Sequence, residues 1–201
     1  MTLVLNLTQS FWGGIAVRRR LLYAIAAFFL FNSAALAAEP ASSRDYRAAN
    51  KFFAAEKYSE ALALYKKTLS SPPADLAPGD INNKIGDTYF RLANYRSALD
   101  AYRRAIRDQN PVDRAQTQYW IGFCCFLVGR DAEAVDEFLK IPALYPDAKA
   151  LGSTAYYWAG RASERLGKKE QAAEYYRKAG GNGRSTQSKF ARKKAAEVKS
   201  K

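Results

Sequence analysis

The chain has 201 residues, 25% charged and 48% hydrophobic, which fits a packed core and excludes a disordered chain. Histidine is absent and the two cysteines are neighbours, Cys124 and Cys125, which excludes imidazole acid–base chemistry, a disulfide framework and CxxC spacing. The formal charge of +13 is uneven: three charges are Arg18, Arg19 and Arg20, the stretch from Gly181 to Lys201 holds seven basic residues against one acidic, and the middle is mildly basic.

After the three arginines comes an apolar run from Leu21 to Phe31. It is shorter than the roughly 20 residues a membrane-spanning helix needs. Asn32 and Ser33 follow, then small residues ending Ala35-Leu36-Ala37. Basic stretch, short apolar stretch and A-x-A site in that order read as a secretory signal over residues 1–37, cleaved after Ala37. Apolar residues continue past Asn32, so an uncleaved membrane anchor is the alternative. Ala38 stands where a lipoprotein would have cysteine. Residues 38–43 read as a short linker.

From Arg44 onward the chain repeats itself. Tyr58-Ser59-Glu60-Ala61-Leu62 with Tyr65 returns as Tyr95-Arg96-Ser97-Ala98-Leu99 with Tyr102. It returns again as Asp131-Ala132-Glu133-Ala134-Val135 with Phe138, and as Lys169-Glu170-Gln171-Ala172-Ala173 with Tyr176. The aligned alanines Ala61, Ala98, Ala134 and Ala172 lie 37, 36 and 38 residues apart. Twelve residues before them stand Ala49, Gly86, Gly122 and Gly160, and seven after them Thr68, Ala105, Ile141 and Ala179. Small residues at such places let two helices cross closely. The aromatic four residues past each alanine shares its helix face and is expected to fill the gap to the next unit. Pro111 and Pro146 fall where second helices should stop.

This spacing resembles the tetratricopeptide-repeat (TPR) family, over residues 44–179. The resemblance implies an all-α fold: a right-handed superhelical solenoid of four helix-pair repeats, at about 44–73, 79–111, 113–146 and 151–179. Thr68 and Ile141 are larger than the pattern prefers, and Arg184 stands where proline usually follows. Residues 180–201 read as a Gly-rich loop and a basic helix or tail. Phe190, Ala191, Ala195 and Val198 fall on one face of it and suit a cap over the last apolar edge. Its Lys189, Arg192, Lys193 and Lys194 also suit an anionic partner, so both roles stay open.

The family binds partners in a groove lined by the first helix of each unit. Carried over, the resemblance points to Phe90, Tyr119, Trp120, Phe123, Phe126, Leu127, Tyr157, Trp158 and Arg161 as the partner-binding groove. Unit three is apolar at all its groove positions, which marks either an interaction surface or a face covered by the chain itself. The carboxylate clamp of chaperone-binding relatives is not reproduced; Asn50 alone fits its polar positions. Cys124 and Cys125, between Phe123 and Phe126, read as small core residues. No phosphate loop, metal spacing or nucleophile elbow is present. The runs Tyr156-Tyr157-Trp158-Ala159-Gly160-Arg161 and Leu144-Tyr145-Pro146-Asp147 are similar to envelope TPR proteins that accompany outer-membrane assembly and the Tol–Pal system.

The expectation is therefore an exported, periplasmic scaffold without enzymatic activity, cofactor, metal or nucleic acid, which binds another envelope protein. The alternative is a binder of anionic membrane surface or cell-wall polymer through the basic tail.

Overall fold

The computed structural model describes residues 40–108, 114–181, 183 and 186–200, and the compact body is Ser42–Lys201. Residues 1–37, Pro111 and Arg184 lie outside the described set. Among the described residues the secondary structure is entirely helical: α1 Ala41–Ala54, α2 Tyr58–Ser70, α3 Pro78–Arg91, α4 Tyr95–Asp108, α5 Arg114–Leu127, α6 Asp131–Leu144, α7 Lys149–Arg165, α8 Lys169–Gly180 and α9 Thr186–Ser200. They form four antiparallel pairs and a last helix against α8.

One turn joins the two helices of every pair. Glu56, Ala93, Gly129 and Gly167 have φ of 60°, 56°, 80° and 72°. The following amide donates back to the helix end each time: Lys57 N to Phe52 O, Asn94 N to Tyr89 O, Arg130 N to Cys125 O and Lys168 N to Ser163 O, all at 2.9 Å. This left-handed residue with a six-to-one hydrogen bond is the Schellman ending, which satisfies carbonyls the helix leaves open. The same turn thus recurs in all four pairs.

The pairs close on a second repeated contact. A Cβ built on Gly86 would lie 2.6 Å from the Tyr102 ring. On Gly122 it would lie 2.8 Å from Phe138, and on Gly160 2.8 Å from Tyr176. These rings are buried, so glycine is what allows the approach. The aromatic therefore packs on the first helix of its own pair, and each ring also shares a buried cluster with residues of the following unit or of the last helix. Helix periodicity reveals the face a side chain occupies, but not which neighbour meets that face.

Thr68 and Ile141 are fully buried; Thr68 turns its hydroxyl to Leu64 O at 2.9 Å, which accommodates it inside the helix. Cys124 and Cys125 are buried in α5 and free, and burial pushes both thiols up to about 12. They are core residues, and thiols so shifted are inert near neutral pH. α9 lays Ala191, Ala195 and Val198 against the last pair, and so acts as the cap.

Candidate functional site

The first helices α1, α3, α5 and α7 carry equivalent positions along one face. One residue past each small crossing residue stand Asn50, Asp87, Phe123 and Arg161. In the first two pairs this residue receives the hydroxyl of the crossing tyrosine: Tyr65 Oη donates to Asn50 Oδ1 at 2.6 Å and Tyr102 Oη to Asp87 Oδ1 at 2.8 Å. In the fourth pair Tyr176 turns to Glu164 instead. In the third pair both members are apolar, Phe138 and Phe123. With no hydroxyl to satisfy, the face of α5 is free to be aromatic.

The structure brings the predicted groove residues together. Trp120 packs on Phe90 of the preceding pair, ring centroids 5.0 Å apart. One repeat later Trp158 packs on Phe123 at 4.7 Å and Phe126 at 5.3 Å. Tyr119 stacks on Phe123 at 5.9 Å and meets Trp120 edge-on at 5.2 Å. Tyr157 adjoins Trp158 at 5.7 Å and Phe190 of α9 at 6.1 Å. Phe90, Tyr119, Trp120, Phe123, Tyr157 and Trp158 are half-buried, Phe126 is buried, and Leu127 is 38% exposed. The rings are thus mutually packed along one side and open on the other.

Cations cover part of this strip. The Arg165 guanidinium lies 4.4 Å from the Phe126 centroid and donates to Phe126 O at 3.0 Å, while also pairing with Asp131 at 3.2 Å. Arg161 lies 5.9 Å over Trp158, and its hydrogen bond with Tyr157 holds the guanidinium above its ordinary value. The contact of Arg165 to a carbonyl of another helix leaves no mark in the sequence.

At the other end of the strip a cleft of about 320 Å³ is lined by Phe53, Asp87, Phe90, Arg91, Tyr102 and Trp120. Burial raises the Asp87 carboxyl above its ordinary value, against the Tyr102 hydrogen bond and the charges of Lys84 and Arg91, which lower it.

Of the tail residues, Arg192 donates to Gly180 O at 3.0 Å, Gly181 O at 3.1 Å and Gly183 O at 3.0 Å, so it caps the end of α8. Lys189 and Lys193 are exposed, and Lys193 and Lys194 each approach Glu197 at 3.8 Å. Among the described residues no group of three or more His, Cys, Asp or Glu could hold a metal ion, and no helix is long and apolar enough to cross a membrane.

Two tetratricopeptide-repeat patterns match the chain, at residues 83–149 and 153–179. The human protein O-mannosyl-transferase TMTC2 is 34% identical over 89 residues, which is 44% of this chain; the chain spans about a tenth of that protein's length. Among solved structures, YrrB, described as a TPR protein with an unusual peptide-binding site, is 22% identical with a TM-score of 0.61, covering 80% of this chain and 75% of that one. MamA is 21% identical with a TM-score of 0.56, covering 76% and 94%. A tetratricopeptide repeat protein from Parabacteroides merdae is 14% identical with a TM-score of 0.66, covering 79% and 60%. At these identities the solved structures speak for the fold alone. The chain carries tetratricopeptide repeats and folds as their solenoid.

Proposed function

We propose that this protein is a non-catalytic scaffold that holds a segment of a protein partner against the aromatic strip of α3, α5 and α7. The observation that supports this most is the strip itself: six half-buried rings in contact along one side, edged by exposed Leu127. Interface hot spots are built from such rings. α9 reaches the strip at Tyr157 through Phe190; Trp120 and Phe123 pack on neighbouring first helices. An apolar helix face or strand is the segment that suits it.

We further place the scaffold in the cell envelope, as an exported periplasmic protein whose partner is another envelope protein. The support is the order of Arg18–Arg20, the apolar run and Ala35-Leu36-Ala37.

Crosslinked capture from the protein's own cells tests both parts. The expected result is an envelope partner whose capture resists high salt and is lost in Leu127→Glu and in Trp158→Ala. Capture indifferent to both substitutions would sink the groove. Capture that weakens steeply with salt and needs Lys189 and Lys193 would favour a membrane surface or wall polymer on the tail instead. A mature N-terminus at Ala38 is expected by peptide sequencing, and an intact Arg18–Phe31 segment in the membrane fraction would indicate the anchor.

A further inference from the structure

The cleft at the start of the aromatic strip differs chemically from the rest of it. Its walls are Phe53 of α1, Phe90 of α3 and Trp120 of α5, and its acidic group is Asp87. One oxygen of that carboxylate takes the Tyr102 hydroxyl at 2.8 Å; the other takes no hydrogen bond among the described residues. Lys84 and Arg91 act on Asp87 through space and not by hydrogen bonds. Arg91, the one cation among the lining residues, is exposed to solvent.

Two forces favour a cation here. Three aromatic rings line the cleft, and an aromatic face attracts an ammonium or guanidinium. A half-buried carboxylate with one oxygen unpartnered among the described residues gains from a charged donor. An anion would meet the carboxylate and the rings, with Arg91 alone of the lining residues to attract it. The volume of about 320 Å³ admits one long side chain and lies at the small end of ligand sites.

We propose that this cleft takes a lysine or arginine side chain of the partner segment, an inference that rests on the groove reading above. The segment would then combine one basic residue, seated at Asp87, with apolar residues lying along Trp120, Phe123 and Trp158.

Random peptides displayed on phage, selected against the full-length chain, test this without knowledge of the partner. Enriched peptides are synthesised and titrated by calorimetry. The expected result is a lysine or arginine at a fixed place, with norleucine or citrulline in its stead weakening binding about tenfold. Asp87→Asn keeps the acceptor for Tyr102 and removes the charge, so it should fold and show the same loss. The two losses should not add. Peptides that respond to Leu127→Glu but carry no basic residue, or that ignore Asp87→Asn, would overturn the cleft and leave the groove standing. Peptides indifferent to Leu127→Glu, or no enrichment at all, would overturn the groove reading too.

Discussion

Gly122 sits in the middle of α5, where alanine is favoured over glycine by about 1 kcal/mol of helix propensity. A methyl there would meet the Phe138 ring at 2.8 Å, and that ring is fully buried. Overpacking of a fixed core costs about 1–3 kcal/mol, so the clash should outweigh the propensity. Gly122→Ala is expected to lower stability by about 1 kcal/mol or more in urea unfolding, and Phe138→Leu in the same chain should restore part of it. An unchanged midpoint would mean that the ring can step aside. The small residues twelve before each alanine were legible in the sequence as sites of close approach. What was not legible is the ring that presses on them, nor the residue one further on. Asn50 and Asp87 are hydrogen-bond partners of tyrosines fifteen residues away, and nothing in local patterning links them. Asp87 is half-buried, and nothing in the local sequence around it signals that.

Among the elements, the four turns are alike in conformation but not in composition. Gly129 and Gly167 occupy the left-handed position without strain; Ala93, at φ 56°, does not. That region costs a residue with a side chain about 1–2 kcal/mol, against about 0.5–1 kcal/mol of extra chain entropy lost by glycine. Ala93→Gly is therefore expected to stabilise the protein by about 0.5–1 kcal/mol, read as a raised urea midpoint at unchanged slope. A lowered midpoint would contradict the turn. Glycine two residues before the next helix marks such a turn in pairs three and four. Glu56 and Ala93 send no such signal, because the constraint there is met by the backbone hydrogen bonds alone. Arg192 is a similar case: its charge suggested a binding tail, and its position over Gly180, Gly181 and Gly183 makes it a helix cap. A cap formed across a loop is invisible until the loop is placed.

At the scale of the whole body, buried residues gather in three clusters. Ala49, Ala61, Tyr65, Ile81, Ile85 and Ala101 join the first two pairs. A larger cluster joins pairs two, three and four, and Ala172, Tyr176, Ala195 and Val198 join the last pair to α9. Solenoid stability is a sum of such neighbour terms. Trp120 belongs to the second cluster through Phe90, so it supports the stack as well as lining the groove. Trp120→Ala is expected to cost about 2 kcal/mol and to separate the unfolding curves seen by circular dichroism and tryptophan fluorescence, as the second pair loses its hold on the third. Coincident curves at the original midpoint would argue against this. The repeat count was legible in the in-phase alanines, and the all-helical fold was what the family resemblance they carry implied.

The rungs Phe90–Trp120 and Phe126–Trp158 lie along the side that carries the groove. Rings already in contact can be drawn apart but not pushed closer, since repulsion rises steeply inside van der Waals distance. The superhelix is then a spring with a hard stop on one side. It can relax toward a straighter, wider form, but it cannot coil more tightly than these rings allow. If the proposed groove holds a partner segment between these rings, that segment would work against the stop and would have to pry the coil open.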